Sequence, residues 1–270
     1  MTLPKPTGEF EWTQESWGPA LQCTALSKAA QHCFSTLQPG LRGAAKEDAG
    51  TMAALAHALN LHDAKSEQIV RLRQVHCAGV FEASREAIAR REHADWPEAD
   101  IAVGRDPNLV LTVRAADCVP VLLADRATGA VSAIHAGWRG TAAGAVLASV
   151  QALSEKFGAE RGNIIAAVGP SIGPCCYTVG EELIQKFASH PDSSRWFNHA
   201  GGLRLNLWQA TRDQLERAGV APRNIHICEL CTFDHAGVFP SYRRDGKAAG
   251  RLTAAIRPDQ TPKIARDRML

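Results

Sequence analysis

The sequence predicts a mixed α/β or α+β fold with sheet at its centre, and three observations carry that expectation. Short apolar runs of strand type recur along the chain. Ala- and Leu-rich stretches with apolar residues at helical spacing lie between them. No internal repeat, low-complexity linker or composition break divides the series. A chain of 270 residues suits one large domain or two small ones, and residues 1–270 therefore read as one domain.

The elements follow in order. Asp48–Leu61 contains AALAHALNL, a helical composition. Ile69–His76 (IVRLRQVH) alternates apolar and polar residues and reads as a strand, as does Asn108–Ala115 (NLVLTVRA). In Asp117–Gly140 (DCVPVLLADRATGAVSAIHAGWRG) two apolar runs flank the turn-like DRATG, which makes a buried hairpin. Gly140–Gly158 is Ala-rich, keeps helical spacing and stops at a glycine. Asn163–Pro170 reads as a strand, Glu181–His190 and Leu205–Gly219 as helices, and NIHICEL (Asn224–Leu230) returns to strand.

Composition narrows the function. Apolar residues make up 45% and charged residues 21%, the balance of a soluble globular protein. A formal charge of +2 is too small to argue for nucleic acid or an anionic membrane as partner. No apolar run approaches the roughly 20 residues of a membrane helix. The N-terminal MTLPKPTGEFEWTQESWG lacks the apolar core of a secretory signal, so a cytoplasmic location is expected. The eight cysteines then read as reduced thiols. Cys228 and Cys231 form CELC, half of a zinc motif without a second CxxC, better read as a strand with one or two buried thiols.

Three segments carry candidate chemistry: QVHC with His76, ADC with Cys118, and IHAGWRG with His135. Side chains at strand ends converge from distant parts of a chain. Two His and one Cys would make a three-ligand zinc site with its fourth position left to water, the pattern of a catalytic rather than a structural zinc. Such a metal lowers the pKa of its water to about 7. The same residues admit other readings. A strand-end His is ordinarily capped or packed, and a lone Cys is ordinarily a small buried hydrophobe. Cys118 could instead be a thiolate nucleophile with a histidine as base and Asp117 orienting it. VGPSIGPCCYTVG (Val168–Gly180) is a Gly- and Pro-rich loop without the G-K-[ST] element of a P-loop. SYRRDGKAAGR (Ser241–Arg251) brings Arg243 and Arg244, and Arg139 follows Trp138; arginines suit phosphate or carboxylate, while a solvated turn accounts for the same charge. The Trp138 face could stack on an aromatic base or fill the core.

QVH, EAD (Glu98–Asp100), ADCVPVLLAD, IHAGWRGT, VGPSIGPCCYTVG and SYRRDGKAAGR together resemble the purine nucleoside phosphorylase family, also called the multicopper polyphenol oxidase or laccase-domain family. The pieces occur in the family's order from about residue 70 to residue 256. The resemblance implies an α+β domain of four layers, α-β-β-α, with mixed central sheets. It implies a zinc site of His76, Cys118 and His135, which would also be the catalytic residues. It implies phosphorolysis of adenosine, inosine and 5'-methylthioadenosine, and deamination of adenosine by zinc-activated water. Purine nucleoside and phosphate would be the small-molecule partners. Arg139, Arg243 and Arg244 are the candidates for the anion. The older name implies copper and phenol oxidation. Two His and one Cys do not exclude copper by type, but the chain has no HxH pairs of the sort that build a trinuclear cluster. A metal-binding member with lost or altered activity is a third expectation, because the N-terminal third departs from the family pattern. Leu37 stands there at an Arg position, and further along the chain Gly104 stands at a Thr position and Thr178 at a Glu position. The sequence leaves the oligomeric state open.

Overall fold

A computed structural model of the chain describes residues 2–37, 49–62, 64–90 and 96–259. Two six-stranded mixed sheets form its centre. In chain order the first half comprises β1 (Phe10–Glu15), β2 (Gly18–Cys23), β3 (Ala30–Ser35), α1 (Ala49–Ala58), β4 (Ile69–Val70), β5 (Val80–Glu82), α2 (Arg85–Ala89), β6 (Ile101–Gly104) and β7 (Val110–Ala115). The hairpin β8 (Val119–Asp125) and β9 (Val131–Ala136) follows, then α3 (Trp138–Ala142), α4 (Ala145–Phe157), β10 (Ile164–Val168) and α5 (Glu182–Lys186). A small β11 (Phe197–Asn198) and β12 (Arg204–Leu205) pair leads to α6 (Leu207–Arg217), β13 (Ile225–Ile227), α7 (Tyr242–Asp245) and β14 (Leu252–Pro258). The first sheet runs β1-β2-β3-β14-β7-β4 and the second β13-β10-β8-β9-β6-β5.

Side-chain alternation explains the layering. Along β8, Val119, Val121 and Leu123 face one side and join a core with α4 and α6, while Leu122 and Ala124 face the other and meet Leu111, Val113, Leu252, Ala254 and Ile256 of the first sheet. A third core sets Leu55 and Ala56 of α1, with Leu59 just beyond its end, against Ala20, Cys33, Val110 and Ala255 on the outer face of the first sheet. The layers are therefore helix, sheet, sheet, helix, as the resemblance implies. A strand covered on both faces has no polar side to show, which is why VPVLLAD reads as one apolar run. The sheets approach closely at Gly169, where a Cβ would lie 2.3 Å from the ring of Phe34.

The hairpin forms as expected, with Val119 opposite Ala136 and Leu122 opposite Ala133. Asp125 closes its turn by accepting from the backbone of Ala127 and Thr128 and from the Thr128 hydroxyl. Other expectations change. The strand expected over Ile69–His76 keeps only Ile69 and Val70. Beyond Val70 the side chain of Gln74 takes over the pairing, donating to the Arg114 carbonyl and accepting from the Arg114 N–H at 2.8 Å each. The backbone is thereby released from the ladder to turn. The helix expected over Gly140–Gly158 is two helices, because Gly144 adopts φ +76° between them. The helix expected over Glu181–His190 is regular only over Glu182–Lys186. The start of the helix at Asp48 and the Gln38–Gly40 part of FSTLQPG lie outside the described residues. Among the described residues no helix is long and apolar enough to cross a membrane.

Candidate metal centre

The donor atoms of His76, Cys118 and His135 all lie within 4.8 Å of one another. Each arrives from a different piece of backbone. His135 is the penultimate residue of β9, and Cys118 is the residue before β8, beside it in the hairpin. His76 sits in a turn after β4 with φ +63°, a left-handed conformation uncommon outside glycine. That turn is held by Asp100, whose Oδ2 accepts the N–H groups of Val75 and Cys77 at 3.0 and 2.8 Å. The imidazoles of His76 and His135 stand edge to face, with centroids 4.9 Å apart.

The other oxygen of Asp100 lies 2.7 Å from Nδ1 of His135. It occupies one ring nitrogen and leaves Nε2 for the site, the arrangement by which carboxylates fix the tautomer of a ligating histidine. Asp100 is fully buried and His135 is 4% exposed. Burial disfavours charge on all three groups, yet their mutual interactions outweigh it. Hydrogen bonds and charge from His135 and His76 bring the Cys118 thiol down to about 6. Asp100 and Cys118 raise His135 to about 9. His135 and the Cys77 and Val75 amides hold Asp100 at about 2. A thiolate and two imidazole nitrogens on a buried carboxylate anchor are the donors that borderline-soft cations prefer.

Two further residues frame the trio without joining it. A Cβ on Gly137 would sit 2.6 Å from Cys118 Sγ and 3.3 Å from His76 Cδ2, so only glycine fits beside the trio. Asp117, with φ +85°, points away from the histidines. Its Oδ1 accepts from the Thr232 hydroxyl at 2.6 Å, and its Oδ2 from the Ser241 hydroxyl at 3.1 Å and the Arg243 N–H at 2.6 Å. The sequence suggested Asp117 as the residue orienting a histidine base. Asp100 has that position, and Asp117 ties the loop before β8 to the loops around Thr232 and Ser241.

The trio opens into a cavity of about 720 Å³, whose lining also includes Gln74, Trp138, Arg139, Tyr177 and Arg243. Arg139 lies over the Trp138 ring at 4.3 Å and Arg243 over the Tyr177 ring at 5.2 Å. Arg243 also donates to the Thr178 carbonyl at 2.8 Å. Arg244, although adjacent, has all five N–H groups engaged. They reach the Asp245 carboxylate and the carbonyls of Thr232, Phe233 and Phe239, and Arg244 does not line the cavity. Arg114 and Arg251 do line it. Charge alone could not have separated Arg243 from Arg244, or raised Arg114 out of a strand. Asp100 was within reach of the sequence as the last residue of EAD, since a ligating histidine commonly has a carboxylate behind it.

Over residues 30–259 the chain matches the family described as multi-copper polyphenol oxidoreductase laccase. It is 36% identical to a purine nucleoside phosphorylase of Streptomyces coelicolor over 222 residues, covering 80% of this chain and 86% of that one. It is 36% identical to a purine nucleoside phosphorylase of Bacteroides thetaiotaomicron over 161 residues, 58% of this chain. The match spans 60% of the length of that relative, and 41% of a mouse protein of the same name. Among solved structures it is similar to YlmD from Geobacillus stearothermophilus, with a TM-score of 0.80 and 28% identity over 92% of this chain and 99% of that one. A Bacillus licheniformis protein, YfiH, gives 0.77 and 27% over 89% and 96%.

Proposed function

This chain belongs to the multi-copper polyphenol oxidoreductase laccase family, and we propose that it is a zinc-dependent purine nucleoside enzyme of the cytoplasm. The observation that carries the reading is one cavity holding His76, Cys118 and His135 beside Arg139, Arg243 and the aromatic faces of Trp138 and Tyr177. Its relatives in Bacteroides thetaiotaomicron and Streptomyces coelicolor are named purine nucleoside phosphorylases. Phosphorolysis needs an anion held beside the ribose and stabilised as the base departs. Arg139 and Arg243 are the residues for that anion, since both line the cavity and present exposed guanidinium groups, whereas Arg244 holds the surrounding loop. Trp138 and Tyr177 offer flat apolar surface to a purine. Asp100 keeps His135 in the tautomer that leaves Nε2 to the site. A zinc ion on the trio would supply a Lewis acid and an activated water, the chemistry that adenosine deamination at C6 requires. The eight free thiols suit a reducing compartment.

Copper is the second reading, favoured by the family description and by a donor set of two His and one Cys. Among the described residues the other cluster of candidate ligands contains no histidine, which leaves a multicopper oxidation without its histidine-rich centre.

The experiment is incubation of the purified protein with adenosine, inosine or 5'-methylthioadenosine, with and without phosphate, alongside metal analysis. Phosphate-dependent release of free base by a zinc-loaded protein is the expected result. Deamination is read as inosine formed from adenosine. A protein that carries copper, oxidises phenols and leaves nucleosides intact overturns the zinc reading. A fully zinc-loaded protein that leaves every nucleoside intact overturns the enzymatic one.

A further inference from the structure

A second set of soft donors lies outside the cavity's metal centre. Sγ of Cys175, Cys176 and Cys231 and a carboxylate oxygen of Asp234 all lie within 4.8 Å of one another. They come from the loops that follow β10 and β13, neighbouring parallel strands. Those loops are already stitched together by the Ser171 N–H on the Leu230 carbonyl and the Thr232 N–H on the Ser171 carbonyl. Both adjacent thiols turn to the same acid: Cys175 and Cys176 approach the two oxygens of Asp234 at 3.1 and 3.0 Å. Cys231 is buried, and its sulfur accepts the Gly173 N–H at 3.2 Å, fixing it toward the group. Among the described residues no Lys or Arg pairs with Asp234, so the carboxylate has only thiols as hydrogen-bond partners.

We propose that Cys175, Cys176, Cys231 and Asp234 form a second metal site, structural in type, for a thiophilic divalent cation of the zinc class. Three sulfurs and one oxygen complete a four-coordinate shell with no position left for substrate, unlike the open trio in the cavity. The half-motif CELC thus contributes one of its cysteines to a site completed by CC and Asp rather than by a second CxxC. The site acts on the cavity wall. Ile172 and Tyr177, on either side of the cysteine pair, both line the cavity, so a cation here clamps the loop that presents Tyr177. Its four ligands are separate from the trio, and the inference does not depend on what the trio binds.

The test uses Cys118→Ala, which disables the trio, isolated with and without Cys175→Ser and Cys176→Ser. Zinc is counted after gel filtration, and folding is checked by circular dichroism. The Cys118→Ala protein should retain one zinc per chain, and the triple variant none. Cobalt loading of the Cys118→Ala protein should give strong thiolate-to-metal charge-transfer absorption. The more conservative Asp234→Asn, on the same background, should weaken zinc binding at least tenfold and guards against loss of fold in the serine variant. A folded Cys118→Ala protein without zinc after incubation in excess zinc overturns the proposal. So does zinc retained by the triple variant. So does a mass lower by two hydrogens in the reductant-free protein with zinc absent, which marks a disulfide among the three cysteines instead.

Discussion

At the residue scale, Gly137 and Asp100 shape the candidate metal centre. Gly137 has φ −76°, a conformation open to any residue, so substitution tests space and not backbone strain. Gly137→Ala would place a methyl group in contact with Cys118 Sγ and His76. The expected outcome is a folded protein with metal affinity reduced at least tenfold, measured by competition with a chelator. Asp100→Asn keeps the shape but removes the negative charge behind His135. Loss of such a partner typically costs 10–100-fold in metal affinity, and the same competition assay reads it. The three clustered donors were legible in the sequence as His and Cys at the ends of apolar runs. Gly137 was legible only as a small residue permitting a turn, because its closeness to Cys118 depends on three segments meeting in space.

Loops between elements decide where the remaining functional groups point. Asp117 joins the segment before β8 to Thr232, Ser241 and the start of α7. Asp117→Ala would strand two hydroxyls and one backbone N–H in a buried place. The expected loss is about 3 kcal/mol in urea unfolding, since each unsatisfied buried group costs about 1–3 kcal/mol and part is recovered by water. Activity should fall as well, because Arg243 loses the bond that sets its backbone. Strand periodicity was a sound guide for β7 through β10, where neighbours on both sides enforce the ladder. It failed over Ile69–His76, because this edge segment hands its pairing to the Gln74 amide, and an amide that substitutes for backbone leaves no trace in hydropathy. The long helix failed at Gly144 for a local reason visible only as one glycine among several small residues.

For the whole molecule, the layered arrangement has a measurable acid response. His32 in β3 is 2% exposed, and its Nε2 accepts the Cys23 N–H at 2.8 Å, which requires the neutral ring. Burial pushes it down to about 4 from an ordinary 6.5. Between those values protons bind the unfolded chain and not the folded one, so acid favours unfolding. The contribution is harmless above pH 6.5 and grows as pH falls toward 4, reaching roughly 3 kcal/mol. Urea melts at pH 7 and pH 4.5 should show a larger loss for the parent protein than for His32→Gln, which accepts the same hydrogen bond without titrating. The interleaving of helices and strands disclosed a mixed fold with sheet inside. The division into two stacked sheets came only through the family resemblance, since pairing partners such as β3 and β14 lie at opposite ends of the chain.

The cavity's donors are distributed across that division. His76 follows β4 of the first sheet, Cys118 lies where the chain passes from β7 in the first sheet to β8 in the second, and His135 belongs to β9 in the second. A chain that has built only one sheet cannot bring all three together. A cation held by the proposed trio would therefore stabilise only a chain whose two sheets have docked correctly. If the trio holds a cation, its loss to an external chelator should quicken under any condition that lets the halves breathe apart, which makes the release rate a gauge of how tightly they are closed.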